Sequence, residues 1–89
     1  MSRETDALFN FPCEFPIKAM GRANGSLAHE IEQLVRRHAP DVTADDIRTT
    51  PSSKGNYVSV TVTITAHSRE QLDAIYSELN AHELILMTL

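Results

Sequence analysis

From Tyr57 to Ala66 the chain reads YVSVTVTITA, an unbroken alternation of apolar and polar side chains. In a helix this pattern would scatter its apolar residues around every side. In a strand it places Val58, Val60, Val62, Ile64 and Ala66 on one face and Tyr57, Ser59, Thr61, Thr63 and Thr65 on the other. The β-branched residues that fill it suit a pleated, half-buried surface. A strand with so long an apolar side needs neighbouring strands and a covering layer, which the flanking sequence must supply. With 89 residues the chain forms one domain with a single core.

The elements follow in order. Residues 1–10 are mostly polar and form a tail, although Leu8, Phe9 and Phe11 are apolar enough that its end should dock. A first strand is predicted over 15–21, with Phe15, Ile17 and Ala19 on one side and Lys18 and Met20 on the other. Residues 21–26 form a turn in which Ser26 is placed to cap a helix. Leu27, Ile31, Leu34, Val35 and His38 give that helix its stripe, and Pro40 stops it near His38 or Ala39. A loop over 41–45 leads to a short strand over 47–50, marked as an edge by Pro51. Residues 52–56, with Gly55 and Asn56 suited to positive φ, turn the chain into the long strand as a hairpin. Ser68 and Gln71 have the spacing of a capping box, and Leu72, Ile75, Tyr76 and Leu79 form the stripe of a second helix. A last strand spans 83–89.

This β-α-β-β-α-β order defines an α+β, ferredoxin-like sandwich: a tail over 1–10, then one domain over 11–89. Its four-stranded antiparallel sheet has the order 4-1-3-2, with both helices on one face. In the last strand Thr88 shares its parity with Leu84 and Leu86. That set is expected on the open face beside Met20, forming an apolar patch that the tail, a partner or a second copy would cover.

Composition limits the function. Hydrophobic residues make up 42% and charged residues 22%, which excludes a disordered chain. No apolar run approaches the ~20 residues of a membrane span, and residues 1–10 lack the form of an export signal. Cys13 is the one cysteine, so no disulfide closes within the chain and a reducing cytoplasm is expected. Twelve acidic against eight basic residues give a net charge of -4, which argues against nucleic acid as a partner.

No catalytic site, cofactor or metal centre can be read from the spacing. Gly21 to His29 resembles the phosphate loop of acylphosphatase, but His29 stands where the catalytic arginine belongs. Lys54 to Thr61 echoes an RNA-recognition motif without the stacking rings that motif requires. His29, His38, His67, His82 and Cys13 share no metal-binding interval. The hairpin instead gathers polar donors at one end of the sheet: Ser52, Ser53, Lys54, Asn56 and the Tyr57 hydroxyl. Turn geometry alone also accounts for Ser, Gly and Asn there.

At Phe11-Pro12, Lys18-x-Met20-Gly21, Arg37-His38-Ala39-Pro40 and above all Pro51-Ser52-Ser53-Lys54-Gly55-Asn56-Tyr57, the sequence resembles the YbeD-like family of small bacterial proteins of unknown function. The resemblance implies a ferredoxin-like fold similar to ACT-type regulatory domains, in a bacterial cytoplasm, and carries no catalytic residues. The expectation is a non-enzymatic regulatory or adaptor domain that binds a protein partner through its sheet and hairpin, with a weak homodimer as a second use of the same face. The alternative is an ACT-like binder of a small anionic metabolite. RNA binding and acylphosphatase-like catalysis stand further off. The candidate interaction residues are Ser52, Ser53, Lys54, Asn56, Tyr57, Met20, Leu84 and Leu86.

Overall fold

The computed structural model describes residues 10–23 and 25–88. Leu8 and Phe9 of the expected tail, Asn24 of the first turn and Leu89 of the last strand lie outside them. In chain order the elements are β1 (Cys13–Arg22), α1 (Leu27–Arg36), a 3-10 turn (Ala44–Asp46), β2 (Ile47–Pro51), β3 (Tyr57–Ala66), α2 (Arg69–Ala81) and β4 (Ile85–Thr88). The sheet order is β2-β3-β1-β4 and every pairing is antiparallel, which is the expected ferredoxin-like arrangement with β3 and β1 inside.

β1 is longer than its alternation suggested, because every residue from Cys13 to Arg22 pairs with β3. Pro16 is tolerated in this central strand because β4 pairs only with Ala19, Met20 and Gly21, so β1 is an edge where the proline lacks its N–H. Lys18 lies just beyond that paired stretch, and its backbone hydrogen-bonds the Tyr76 hydroxyl of α2. Burial raises the Tyr76 phenol above its ordinary value, and the Lys18 hydrogen bond partly opposes that rise.

The alternation of β3 is read out as drawn. Val60, Val62, Ile64 and Ala66 are buried with Ile17 and Ala19 of β1, and they join Leu27, Ile31, Leu34 and Val35 of α1 and Leu72, Ile75 and Leu79 of α2 in one cluster. Each fully buried Val, Leu or Ile adds roughly 1.5–3 kcal/mol. Phe11 packs against this cluster too, at the start of the described chain.

The helix ends depart from the sequence reading in two ways. Ser26 stands at the N-cap of α1, but its backbone is helical and its side chain makes no capping bond. An N-cap hydroxyl reaches the free N–H groups only from an extended backbone, the conformation Ser68 adopts before α2, where it accepts from the Gln71 N–H at 3.1 Å. The Gln71 side chain does not close the box on Ser68. It accepts from the His67 N–H at 2.7 Å and donates to the His38 carbonyl at 2.7 Å, tying the start of α2 to the end of α1.

Those two helices are joined again through Glu78, whose carboxylate takes Arg37 at 2.5 Å on one oxygen and His38 on the other. The Arg37 hydrogen bond first, then that of His38, holds the Glu78 carboxyl below its ordinary value of 4.5. A carboxyl with a lowered folded value contributes stability that is present above 4.5 and lost as pH falls through the folded value. The expected outcome is that Glu78→Gln lowers the urea midpoint at neutral pH, and that the gap to the parent narrows below that pH. A gap independent of pH would mean that the carboxylate contributes nothing through its charge.

The open face carried by β4 is corrected. Met20 pairs with Met87 but Gly21 pairs with Ile85, so Leu86 is the extra residue of a bulge. The bulge resets the parity: Met87 takes the open side with Met20, while Thr88, opposite Ala19, turns toward the helices and donates to Asn80 Oδ1 at 3.0 Å. Leu84 is likewise not on the open face. It packs against the core from a turn in which His82 Nδ1 accepts from the Leu84 N–H at 3.1 Å.

Candidate interaction surface

Strand register assigns, residue by residue, the face of the sheet that no described helix covers. β3 places Tyr57, Ser59, Thr61, Thr63 and Thr65 there. Arg22 lies opposite Tyr57, Met20 and Thr50 opposite Ser59, Lys18 and Arg48 opposite Thr61, and Met87 beside Met20. The Arg22 guanidinium stands 6.0 Å from the Tyr57 ring centroid, at the limit of a cation–π contact. A band of hydroxyls is thus flanked by cations and by two methionines. Leu86 and Met87 remain 56% and 51% exposed, a degree that marks β4 as the apolar border of this face.

The hairpin stands at the same end as the Arg22–Tyr57 pair. Gly55 is the residue with positive φ, at 76°, and Asn56 does not share it. Ser52 is fully engaged in the turn: its N–H donates to the Tyr57 carbonyl at 2.8 Å, its carbonyl accepts from Gly55, and its hydroxyl accepts from the Tyr57 N–H at 3.2 Å. Ser53, Lys54 and Asn56 are exposed, and the Asn56 carbonyl accepts from the Ala23 N–H at 2.8 Å, which anchors the hairpin on the turn after β1. Gly21, the first glycine of the acylphosphatase-like stretch, lies within β1 and is packed against the Leu84 carbonyl and the Leu27 side chain.

Of the sequence candidates, the structure brings Met20 and Tyr57 onto one face, puts Ser53, Lys54 and Asn56 at its end, places Leu86 on its border, and sends Leu84 inward. Sequence reasoning placed Lys18 beside Met20 without counting it among the candidates, and it missed Arg22, Arg48 and Met87. Arg22 and Lys18 share the parity of Met20, so β1 alone held that signal. Arg48 and Met87 needed the register.

Charge is divided between the two sides. On the helices Arg36 meets Glu32 at 2.8 Å, Arg37 meets Glu78, and Arg69 approaches Asp73 at 3.7 Å. On the sheet side Lys18, Arg22, Arg48 and Lys54 form no ion pair among the described residues. A hollow of about 320 Å³ at the opposite end of the sheet holds Glu14, Asp41, Asp46, His38 and His67, but His38 is bound to Glu78 and Asp46 accepts from the Thr43 N–H at 2.9 Å. No group of three or more His, Cys, Asp or Glu side chains is placed to hold a metal ion among the described residues, and no helix there is long and apolar enough to cross a membrane.

Comparison with known proteins agrees with this geometry. The family described as protein of unknown function (DUF493) matches residues 6–89. The chain belongs to that family. A UPF0250 protein of Paraburkholderia phytofirmans is 46% identical over 89 residues, covering all of both chains. Its counterpart in Chromobacterium violaceum is 45% identical over the same full length, and that of Neisseria gonorrhoeae 46% over 93% of this chain and 91% of the relative. Two solved structures share the fold. Protein HP0495 of H. pylori has a TM-score of 0.74 at 11% identity, covering 91% of this chain and 85% of its own. The ACT domain of the GTP pyrophosphokinase of Chlorobium tepidum has a TM-score of 0.63 at 12% identity, covering 85% and 84%. These bear out the resemblance to a small bacterial family with an ACT-like fold.

Proposed function

We propose that this DUF493 member is a non-enzymatic adaptor or regulatory domain that binds a protein partner through the open face of its sheet and the adjoining hairpin. The observation that carries this reading is this face, left uncovered by the described residues, where Arg22 at cation–π distance from Tyr57 stands beside Met20 and Met87. Arg, Tyr and Met are the side chains enriched in interface centres. A catalytic role finds less support. None of the buried side chains among the described residues is polar or charged, and the two groups with shifted acidity, Tyr76 and Glu78, are each engaged in holding elements together.

The test is affinity capture from a bacterial lysate with the parent chain and with Thr61→Trp, which adds bulk at the centre of the face without changing charge. Loss of a reproducible partner in the variant, with the urea midpoint retained, is the expected result. Capture unaffected by the tryptophan would refute binding through this face. A second reading, a small anionic metabolite, draws on the ACT-like fold. It expects thermal stabilisation growing as RT ln(1 + [L]/Kd) in a metabolite screen.

A further inference from the structure

The cations of the open face are spread along and across the sheet rather than gathered at one point. Lys18 and Arg22 are four residues apart on β1, about 13 Å at ~3.3 Å per residue. Lys18 and Arg48 both lie opposite Thr61, two strand spacings or roughly 10 Å apart. Lys18 and Arg48 line one hollow and can share a small anion, whereas Arg22 lies outside it, against the Tyr57 ring. Between Lys18 and Arg22, on the same face, lies Met20 with Met87 beside it. Cation, thioether and cation therefore alternate along β1 with the period of an extended chain.

We infer that the open face takes an extended acidic segment of a partner protein, in which two carboxylates flank an apolar residue at alternate positions. This rests on the proposed protein-binding role and specifies its partner. Aligned along β1, such a segment sets its carboxylates opposite Lys18 and Arg22 and its apolar side chain on Met20 and Met87. Arg48 offers a third contact to a flanking acid. Charge supports the match, since these cations have no carboxylate partner among the described residues on a chain whose net charge is -4. Of the acidic groups nearest the face, Glu14 pairs across from Thr65 near the far end, while Asp45 and Asp46 line the shallow hollow at the sheet edge together with Lys18 and Arg48. Asp45 and Asp46 compete there for Lys18 and Arg48 without an ion pair to either, so Arg22, outside that hollow, carries the inference first and Lys18 second. Size points the same way: a four-stranded face of this length offers on the order of 500 Å², enough for one segment and short of the ~800 Å² that each partner gives to a standard interface. Single-stranded nucleic acid would need several rings to stack on, and Arg22 already lies over the one ring of this face, Tyr57.

The experiment is amide chemical-shift mapping of the full chain with a capped peptide of sequence Glu-Thr-Leu-Thr-Glu. Its symmetry removes the question of direction. Expected are shifts at Lys18, Met20, Arg22, Thr61 and Met87, with the ion-paired Arg36 and Arg37 unmoved. Affinity should fall steeply from about 0.05 to about 0.5 M salt as screening shortens. Lys18→Glu with Arg22→Glu should weaken it by at least about tenfold. Replacing the peptide leucine by serine should also weaken it. The inference is overturned if the peptide leaves the open face unmoved, if a lysine version binds equally, or if pyrophosphate or oligouridylate occupies the same residues more tightly. The two readings separate cleanly: partner capture lost in Thr61→Trp but kept in the double charge reversal retains the protein-binding role and sinks the acidic segment.

Discussion

Val60→Asp is expected to leave no cooperatively folded protein. Val60 has no exposed surface and sits on β3 opposite Ala19 on one side and Thr49 on the other, under both helices. A carboxylate there would be buried without a partner, and such changes exceed ~4 kcal/mol. A chain of 89 residues has a total stability of about 4–13 kcal/mol at ~0.05–0.15 kcal/mol per residue. The substitution therefore consumes most or all of it. Val60→Thr, nearly the same shape with one hydroxyl, should lower stability by about 1–3 kcal/mol and keep a sharp urea transition. Thr61→Asp, one residue along and on the open face, should stay within about 0.5 kcal/mol of the parent. Circular dichroism in urea compares the three. A folded Val60→Asp together with an unfolded Thr61→Asp would mean that the two faces of β3 are exchanged.

Gly21→Ala is expected to produce the second largest loss, near the upper end of the ~1–3 kcal/mol range for overpacking. Its added Cβ would lie 2.4 Å from the Leu84 carbonyl oxygen and 2.9 Å from Leu27 Cδ2. The leucine methyl can rotate away, but the carbonyl belongs to the turn that delivers β4, so the strand must move. Hydrogen exchange should then quicken at Ile85, Met87 and Thr88 more than at the β3 amides, since the strain falls where β1 and β4 meet. Gly25→Ala, where a Cβ meets nothing within 4 Å, is the matched control and should be silent. Equal stability of the two variants would show that β4 adapts freely and that the bulge is not fixed by this contact.

Gly21→Ala also bears on the open face, because β4 supplies Met87 to it. A Gly21 variant that loosens β4 while leaving β3 intact should weaken peptide binding through the leucine and spare the salt-dependent part carried by Lys18 and Arg22. The apolar and ionic components of the surface are thus separable by where they sit in the sheet.

Much of this molecule was legible in the sequence by itself. The period of two from Tyr57 to Ala66 identified the central strand and its buried side, and the stripes beginning at Leu27 and Leu72 identified the helices that cover it. Those patterns are local, repeat many times, and have one geometric solution each, so the ferredoxin-like order followed. Tertiary structure alone decided the rest. In the last strand parity gave the wrong face for Thr88, because a one-residue bulge at Leu86 exchanges the two sides and is set by pairing with β1, and for Leu84, which packs inward from the turn before the strand. Ser26 met the compositional rule for a cap but not its backbone requirement, and the side chain of Gln71 found better partners in His67 and His38, one of them just past the end of the other helix. The candidate surface shows the same division. The hairpin residues stood out as a string, whereas the alignment of Arg48, Thr61 and Lys18 across three strands comes from register, which residues distant in the chain acquire only when the sheet is assembled.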